Sequence, residues 1–147
     1  MENPKINPAA WDFGDWKKFF RVAAAWNILG SVPAVIAPGL NLRIFYALKT
    51  DDYMMLFLNR SFWIVVLIFG VGYFIISLDP ARHTGITVMG IIGKIIVAIN
   101  WFYLFAIDKA TIMAVFGGLG DSAFTVLFIY YLAVGPRSYD DEPRGAP

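Results

Sequence analysis

The sequence predicts an all-α integral membrane protein, a four-helix bundle running up, down, up and down, with a short segment after the first span that is either a helix lying in the membrane interface or a plain loop. Three observations predict it. Hydrophobic residues make up 59% of the 147 positions, and the mean hydropathy is +0.62. The apolar residues fall in four continuous runs, each close to the roughly 20 residues that a ~30 Å hydrocarbon core demands. Between the runs stand helix breakers: Pro38-Gly39, Asp79-Pro80, Asp108-Lys109 and Gly135-Pro136. A soluble domain of this length would interrupt its apolar residues with polar faces.

The chain reads as one transmembrane domain. Residues 1–15 are polar, carry Pro4 and Pro8 and have no periodicity, which predicts an arm. The first span, about 19–37, is entered through Lys17, Lys18 and Arg21. A basic entry before an apolar run also describes a signal peptide, but the run is long and Pro38 would obstruct cleavage after Ala37, so the span is expected to be retained. From Leu40 to Tyr53, Leu42, Ile44, Phe45 and Leu48 are set against Arg43, Lys49, Asp51 and Asp52; that mixture suits an interfacial helix and equally a loop.

The second span, about 54–77, stops at Asp79-Pro80. The third, about 85–107, ends in the turn Asp108-Lys109, and the fourth, about 111–134, ends at Gly135-Pro136. The acidic, Pro- and Gly-containing tail 135–147 is expected to be disordered. Short links make the last three spans antiparallel neighbours.

Four spans place both termini on one side, with Lys5, Lys17, Lys18, Arg21, Arg82, Arg137 and Arg144; the other side carries Arg43, Lys49, Lys109 and Arg60. Seven basic residues against four favour cytoplasmic termini, which in a bacterium means a multi-pass protein of the inner membrane. Five Trp (Trp11, Trp16, Trp26, Trp63 and Trp101) and several Tyr are expected to form interfacial belts.

Composition excludes several classes of function. A net charge of +1 gives no footprint for nucleic acid. The absence of Cys removes disulfides, thiolate metal sites, iron–sulfur clusters and Cys nucleophiles, and the single His83 cannot supply a multi-His site. There is no phosphate-binding loop, dinucleotide fingerprint, nucleophile elbow or zinc motif. No cofactor and no metal are expected. His83, the pair Asp51-Asp52 and the triplet Asn59-Arg60-Ser61 read as solvated loop, solvated turn and a membrane-edge sequence.

What remains are polar residues inside spans: Asn27, Arg60, Lys94, Asn100 and Asp121. Ionisable groups in a bilayer are costly and face an interior, a cavity or a partner. At ~1.5 Å per residue from the cytoplasmic ends, Asn27 lies about 12 Å deep, Lys94 about 13, Asp121 about 20, Asn100 about 22 and Arg60 about 25. Two polar layers are therefore expected, with Lys94 long enough to reach either and preferred over Arg60 as the partner of Asp121. Small residues flank the polar ones on each helix: Ala23, Ala24 and Gly30; Gly90 and Gly93; Gly117 and Gly118. Small residues let membrane helices approach closely. Three roles are open to this interior: fastening the bundle, holding a ligand or lipid headgroup, or passing protons or ions.

Gly70-x-Gly72-Tyr73, Asp79-Pro80, Gly90-x-x-Gly93-Lys94 and Gly120-Asp121 before an apolar run resemble a pattern in small uncharacterised bacterial four-span proteins, loosely of the DoxX type. The likeness covers roughly residues 20–134 and rests mostly on Gly and single charges. It implies an inner-membrane helical bundle linked to redox or quinone-associated membrane complexes, and it transfers no catalytic role. The expected function is a non-catalytic accessory or assembly subunit of a larger membrane complex, holding a lipid or quinone between its helices. Its partners would be membrane lipids and another membrane protein or a second copy. Two other readings compete: a small transporter or channel subunit using Lys94 and Asp121, and a membrane enzyme acting on a lipophilic substrate.

Overall fold

A computed structural model describes residues 11–135, and they form five helices. These are α1 (Phe13–Ile36), α2 (Pro38–Tyr46), α3 (Tyr53–Leu78), α4 (Thr84–Ala106) and α5 (Ile112–Val134), with a single 3-10 turn, Pro80–Arg82, between α3 and α4. All but α2 are long and apolar enough to cross a membrane. Their outer faces carry Leu29, Ile36, Ile68 and Val126, each more than half exposed. Such a surface suits lipid, and the protein is a multi-pass membrane bundle.

Local chemistry sets the ends of the elements. The Asp12 carboxylate accepts the Asp15 backbone N–H at 2.8 Å, an N-cap that starts α1 at Phe13. The helix thus begins inside the stretch expected to be a polar arm, because Phe13 and Trp16 are buried and draw the first turn into the core. Residues 1–10, the rest of that arm, and 136–147, most of the expected tail, lie outside the described residues. Ala37 precedes a proline and leaves the helical region, φ −126 and ψ 68. Pro38 then opens α2 at its first position, where the missing N–H costs nothing. The Asp52 carboxylate caps α3 through the Met55 N–H at 2.8 Å.

The segment after the first span is helical only to Tyr46, and Ala47 ends it in the left-handed region at φ 51. Its inward side also differs from the expected one. Asn41 and Leu42 are buried, whereas Ile44 is exposed. Asn41 turns in because its Oδ1 accepts the Trp63 indole N–H at 2.8 Å. At the far end of α2, the Thr111 N–H bonds the Phe45 carbonyl at 2.8 Å and the Thr111 hydroxyl bonds that of Ile44 at 2.5 Å. The helix is thereby tied to the start of α5 and lies over the end of the bundle opposite the termini.

The spans pack as two pairs, α1 on α3 and α4 on α5. Gly70 of α3 lies so close to α1 that a Cβ there would sit 3.3 Å from the Ile28 backbone nitrogen. Between α3 and α4, consecutive and joined by a short link, backbone contact is slight. Chain adjacency alone therefore misplaces the tightest neighbours. The Tyr73 ring fills the space over Gly90, and bulky side chains hold these two helices apart.

Two aromatic clusters form the core. One, toward the termini, contains Trp16, Phe19, Phe20, Tyr73, Phe128 and Tyr131. The other, toward α2, contains Trp63 and Trp101 with Ala34 and Ala114, and Phe45 packs on it. Trp16, Trp63 and Trp101 are therefore interior residues, not lipid-facing belts. They bring large apolar area to the core while each indole N–H needs a partner.

Candidate functional site

Between the two clusters lies the polar layer. Lys94 sits near the middle of α4 and Asp121 near the middle of α5. Because the two helices are antiparallel, their midpoints face each other. The Lys94 Nζ donates to Asp121 Oδ1 at 2.5 Å and to Asn27 Oδ1 of α1 at 3.0 Å. Only 4% of Lys94 and 8% of Asp121 is exposed. In turn the Asn27 amide donates to the Val66 carbonyl of α3 at 3.3 Å, so all four spans enter one network. The Lys94 ammonium also lies 5.2 Å from the Phe124 ring centroid and 5.6 Å from that of Tyr73, placing it in the attractive range of both π faces.

A second donor reaches the carboxylate. The Trp26 indole N–H bonds Asp121 Oδ1 at 3.3 Å, and its ring occupies the space left by Gly120, where any Cβ would collide with it. Trp26 remains 43% exposed. Oδ1 thus accepts from both Lys94 and Trp26, while Oδ2 takes no hydrogen bond among the described residues. The Thr125 hydroxyl donates to the Asp121 backbone carbonyl at 2.8 Å and steadies that turn of α5.

The two expected polar layers are one. Lysine's reach and the opposed helix midpoints bring Asn27, Lys94 and Asp121 to a common level. Arg60 and Asn100 do not join them. Arg60 is exposed, and its Nε donates to the Val35 carbonyl at 3.1 Å, satisfying one of the orphan acceptors at the C-terminus of α1. Asn100 is exposed on α4, beside Asn59, Tyr46 and Trp101 in a groove of about 300 Å³. Six residues beyond Lys94 it is rotated by about 120°, so facing Lys94 inward turns Asn100 out. The sequence alone did not single out Trp26, Tyr73 and Phe124. The traces were Gly120 directly before Asp121, a gap that Trp26 fills from another helix, and Gly90, over which Tyr73 lies; Phe124 left none.

Two cavities meet this layer. The larger, about 420 Å³, lies between the polar residues and the α2 end; Asn27 and Asp121 bound it on one side, and Trp63, Trp101, Phe45 and Val97 form its inner walls. Leu29, Met113 and Phe116 also border it. These three belong to the outer faces of α1 and α5, so the cavity opens sideways toward lipid. The smaller, about 100 Å³, lies between α3 and α4 against Tyr73, Gly90 and Lys94, and Asn27 and Asp121 border it too. No cluster of three His, Cys, Asp or Glu able to hold a metal occurs among the described residues.

Chemically, this is a buried, internally neutralised ion pair beside an aromatic chamber of the size of a small-molecule site. No family model matches the chain, and comparison with curated proteins and with solved structures finds no match either.

Proposed function

We propose that the protein is a non-catalytic component of a bacterial inner membrane, with both termini cytoplasmic, that holds a lipophilic molecule between its helices as an accessory subunit of a larger complex. The carrying observation is the chamber of about 420 Å³ that opens toward lipid and ends on Asn27 and Asp121. Apolar walls with a few convergent polar groups are the usual make-up of a small-molecule site. A lipid or a quinone is the natural class of occupant, in keeping with the DoxX-type likeness of the Gly-rich and Lys94/Asp121 segments. The accessory role rests on how little of the described chain lies outside the spans and on the absence of a recognisable catalytic group set.

Gentle detergent extraction followed by native mass spectrometry tests this reading. A stoichiometric protein partner, with a retained lipophile of constant mass, is the expected result. A clean monomer with nothing bound would count against it. Orientation is tested by labelling Lys18→Cys in this otherwise cysteine-free chain; modification from the periplasmic side in intact cells would reverse the assignment.

One observation favours a second reading. Asn27 and Asp121 border both cavities, so the polar layer is a partition between two spaces, as an alternating-access transporter subunit requires. Recovery of a homo-oligomer, with substrate flux lost in Lys94→Met, would favour it over the accessory role.

A further inference from the structure

We infer that the occupant of the larger cavity is a neutral amphiphile ending in a hydroxyl group, admitted from the bilayer past Trp26. The inference rests on the lipophile reading above and narrows it to a chemical class.

The polar end of the cavity sets the chemistry. Asp121 and Asn27 border it, and Lys94 borders only the smaller space. Of the Asp121 oxygens, Oδ1 already accepts two hydrogen bonds and Oδ2 accepts none among the described residues. On Asn27, Oδ1 is taken by Lys94 and one amide N–H by the Val66 carbonyl, which leaves one N–H. Asp121 and Asn27 together therefore offer one acceptor and one donor. A hydroxyl matches both at once, donating to the carboxylate and accepting from the amide. An ether or a bare carbonyl only accepts; set against the carboxylate it would leave a desolvated oxygen unpaired.

Charge excludes headgroups that carry a net charge. Lys94 and Asp121 sum to zero, so a cationic or anionic head would bring an uncompensated charge into low dielectric. The remaining walls, Trp63, Trp101, Phe45 and Phe116, demand an apolar body.

Trp26 sets the route. Leu29 is 73% exposed to the lipid side while bordering the cavity, and Trp26 stands three residues before it on the same helix. Trp26 lines the cavity and remains 43% exposed, and its N–H bonds Oδ1, leaving Oδ2 to an arriving hydroxyl. Gly120 supplies the gap in which the Trp26 ring rests at this opening.

The test uses the full chain in lipid nanodiscs and two matched probes, 4-dodecylphenol and its methyl ether, with binding read from tryptophan emission. The phenol is expected to bind about tenfold more tightly than the ether, the scale of one hydrogen bond to a charged group. Asp121→Asn should erase the preference. Gly30→Leu, at a cavity-lining position where a new Cβ meets only ordinary contact with Trp63 at 3.7 Å, should abolish binding of both probes. Trp26→Phe withdraws the N–H from Oδ1 and shortens the ring at the opening; the less neutralised carboxylate should accept from the phenol more strongly and tighten its binding about threefold, and no change there would overturn the placement of Trp26 beside the entering hydroxyl.

Equal binding of both probes, lost in Gly30→Leu, would overturn the hydroxyl assignment and leave the lipophile reading standing. Binding of neither probe, or binding indifferent to Gly30→Leu, would overturn both. Should Asp121→Asn fail to fold, the comparison of the two probes on the unaltered chain decides the hydroxyl assignment alone.

Discussion

The two ends of the bundle are built from the same residue types and do different things. Toward the termini, Trp16, Phe20, Tyr73, Phe128 and Tyr131 contact one another ring to ring; Phe20 and Phe128 stack at 5.4 Å, and Tyr73 meets Phe128 edge-on at 5.0 Å. Toward α2, the indoles are held by hydrogen bonds. Trp63 is fixed by Asn41 at 2.8 Å and Trp101 by the Tyr46 hydroxyl at 3.0 Å, and Phe45 spans them at 5.5 Å from each. The termini-end rings are held by packing on one another. The α2-end rings also meet, Trp63 and Trp101 at 6.1 Å, but their N–H groups are tethered as well, and they form the wall of a chamber. The polar layer divides a more closely packed half, which the cavity of about 100 Å³ enters against Tyr73, from one that holds the chamber of about 420 Å³.

Mutations that break the boundary should have the largest effect. Asp121→Asn or Lys94→Met strands a partner in low dielectric, and each should cost about 3–5 kcal/mol. The double replacement should cost less than the sum, measured by thermal unfolding in detergent across a double-mutant cycle. Additive losses would show that the pair is not coupled. Arg60→Met gives the contrast: it should change stability by less than about 1 kcal/mol, because its contact is an exposed one.

Truncation on either side of the boundary sharpens the comparison. Phe128→Ala, in the more closely packed half, should cost about 3 kcal/mol. Phe45→Ala should cost about half of that, because the space it vacates merges with a chamber already open to lipid chains. Equal losses would mean that the chamber is closed and dry.

The tethers come next. Asn41→Leu removes the acceptor of the buried Trp63 N–H and should cost about 1–3 kcal/mol, with a shift in tryptophan emission. Burial raises the Tyr46 phenol above its ordinary value of 10.0, and the hydrogen bond from Trp101 pulls it partly back. A group whose pKa is raised by folding contributes stability below its unfolded pKa and loses it as pH climbs through the folded value. The α2 end should therefore loosen above about pH 10, and Tyr46→Phe should remove that dependence from a pH series of tryptophan emission.

The smallest effect expected is a gain. Ala47 sits at φ 51, where a Cβ is strained, so Ala47→Gly should raise stability by about 1 kcal/mol. No gain in the unfolding midpoint would mean that the Ala47 turn relaxes in solution.

Much of this was legible from residue order. Span number followed from run length, and the helix stops from local breakers such as Pro38 and Pro80; the start of α1 at Phe13 did not, because an N-cap at Asp12 and the burial of Phe13 and Trp16 set it. The Lys94–Asp121 pairing was expected because a lysine side chain reaches across layers. Arg60 and Asn100 were misplaced because helical phase and depth, each uncertain by about a turn, do not tell an inward residue from one at the edge of the inward arc. The tryptophans were misread for a related reason. An indole near a span end suits a belt and a core equally, and only the partners on other helices (Asn41 for Trp63, Tyr46 for Trp101) decide between them.

The bonds from Thr111 to the ends of α2 bear on how the chain is made. The α1 and α3 spans are the first two synthesised and can pair at once; α4 and α5 can form a hairpin later, as independently inserted helices do before they assemble. But α2, held to α3 by the Asn41–Trp63 bond, gains a second tether only at Thr111, the residue that caps α5. That second tether forms only after residue 111 has been translated. A ribosome-bound chain lacking Thr111 and α5 would hold α2 by one end alone, with the chamber open and Lys94 without its carboxylate.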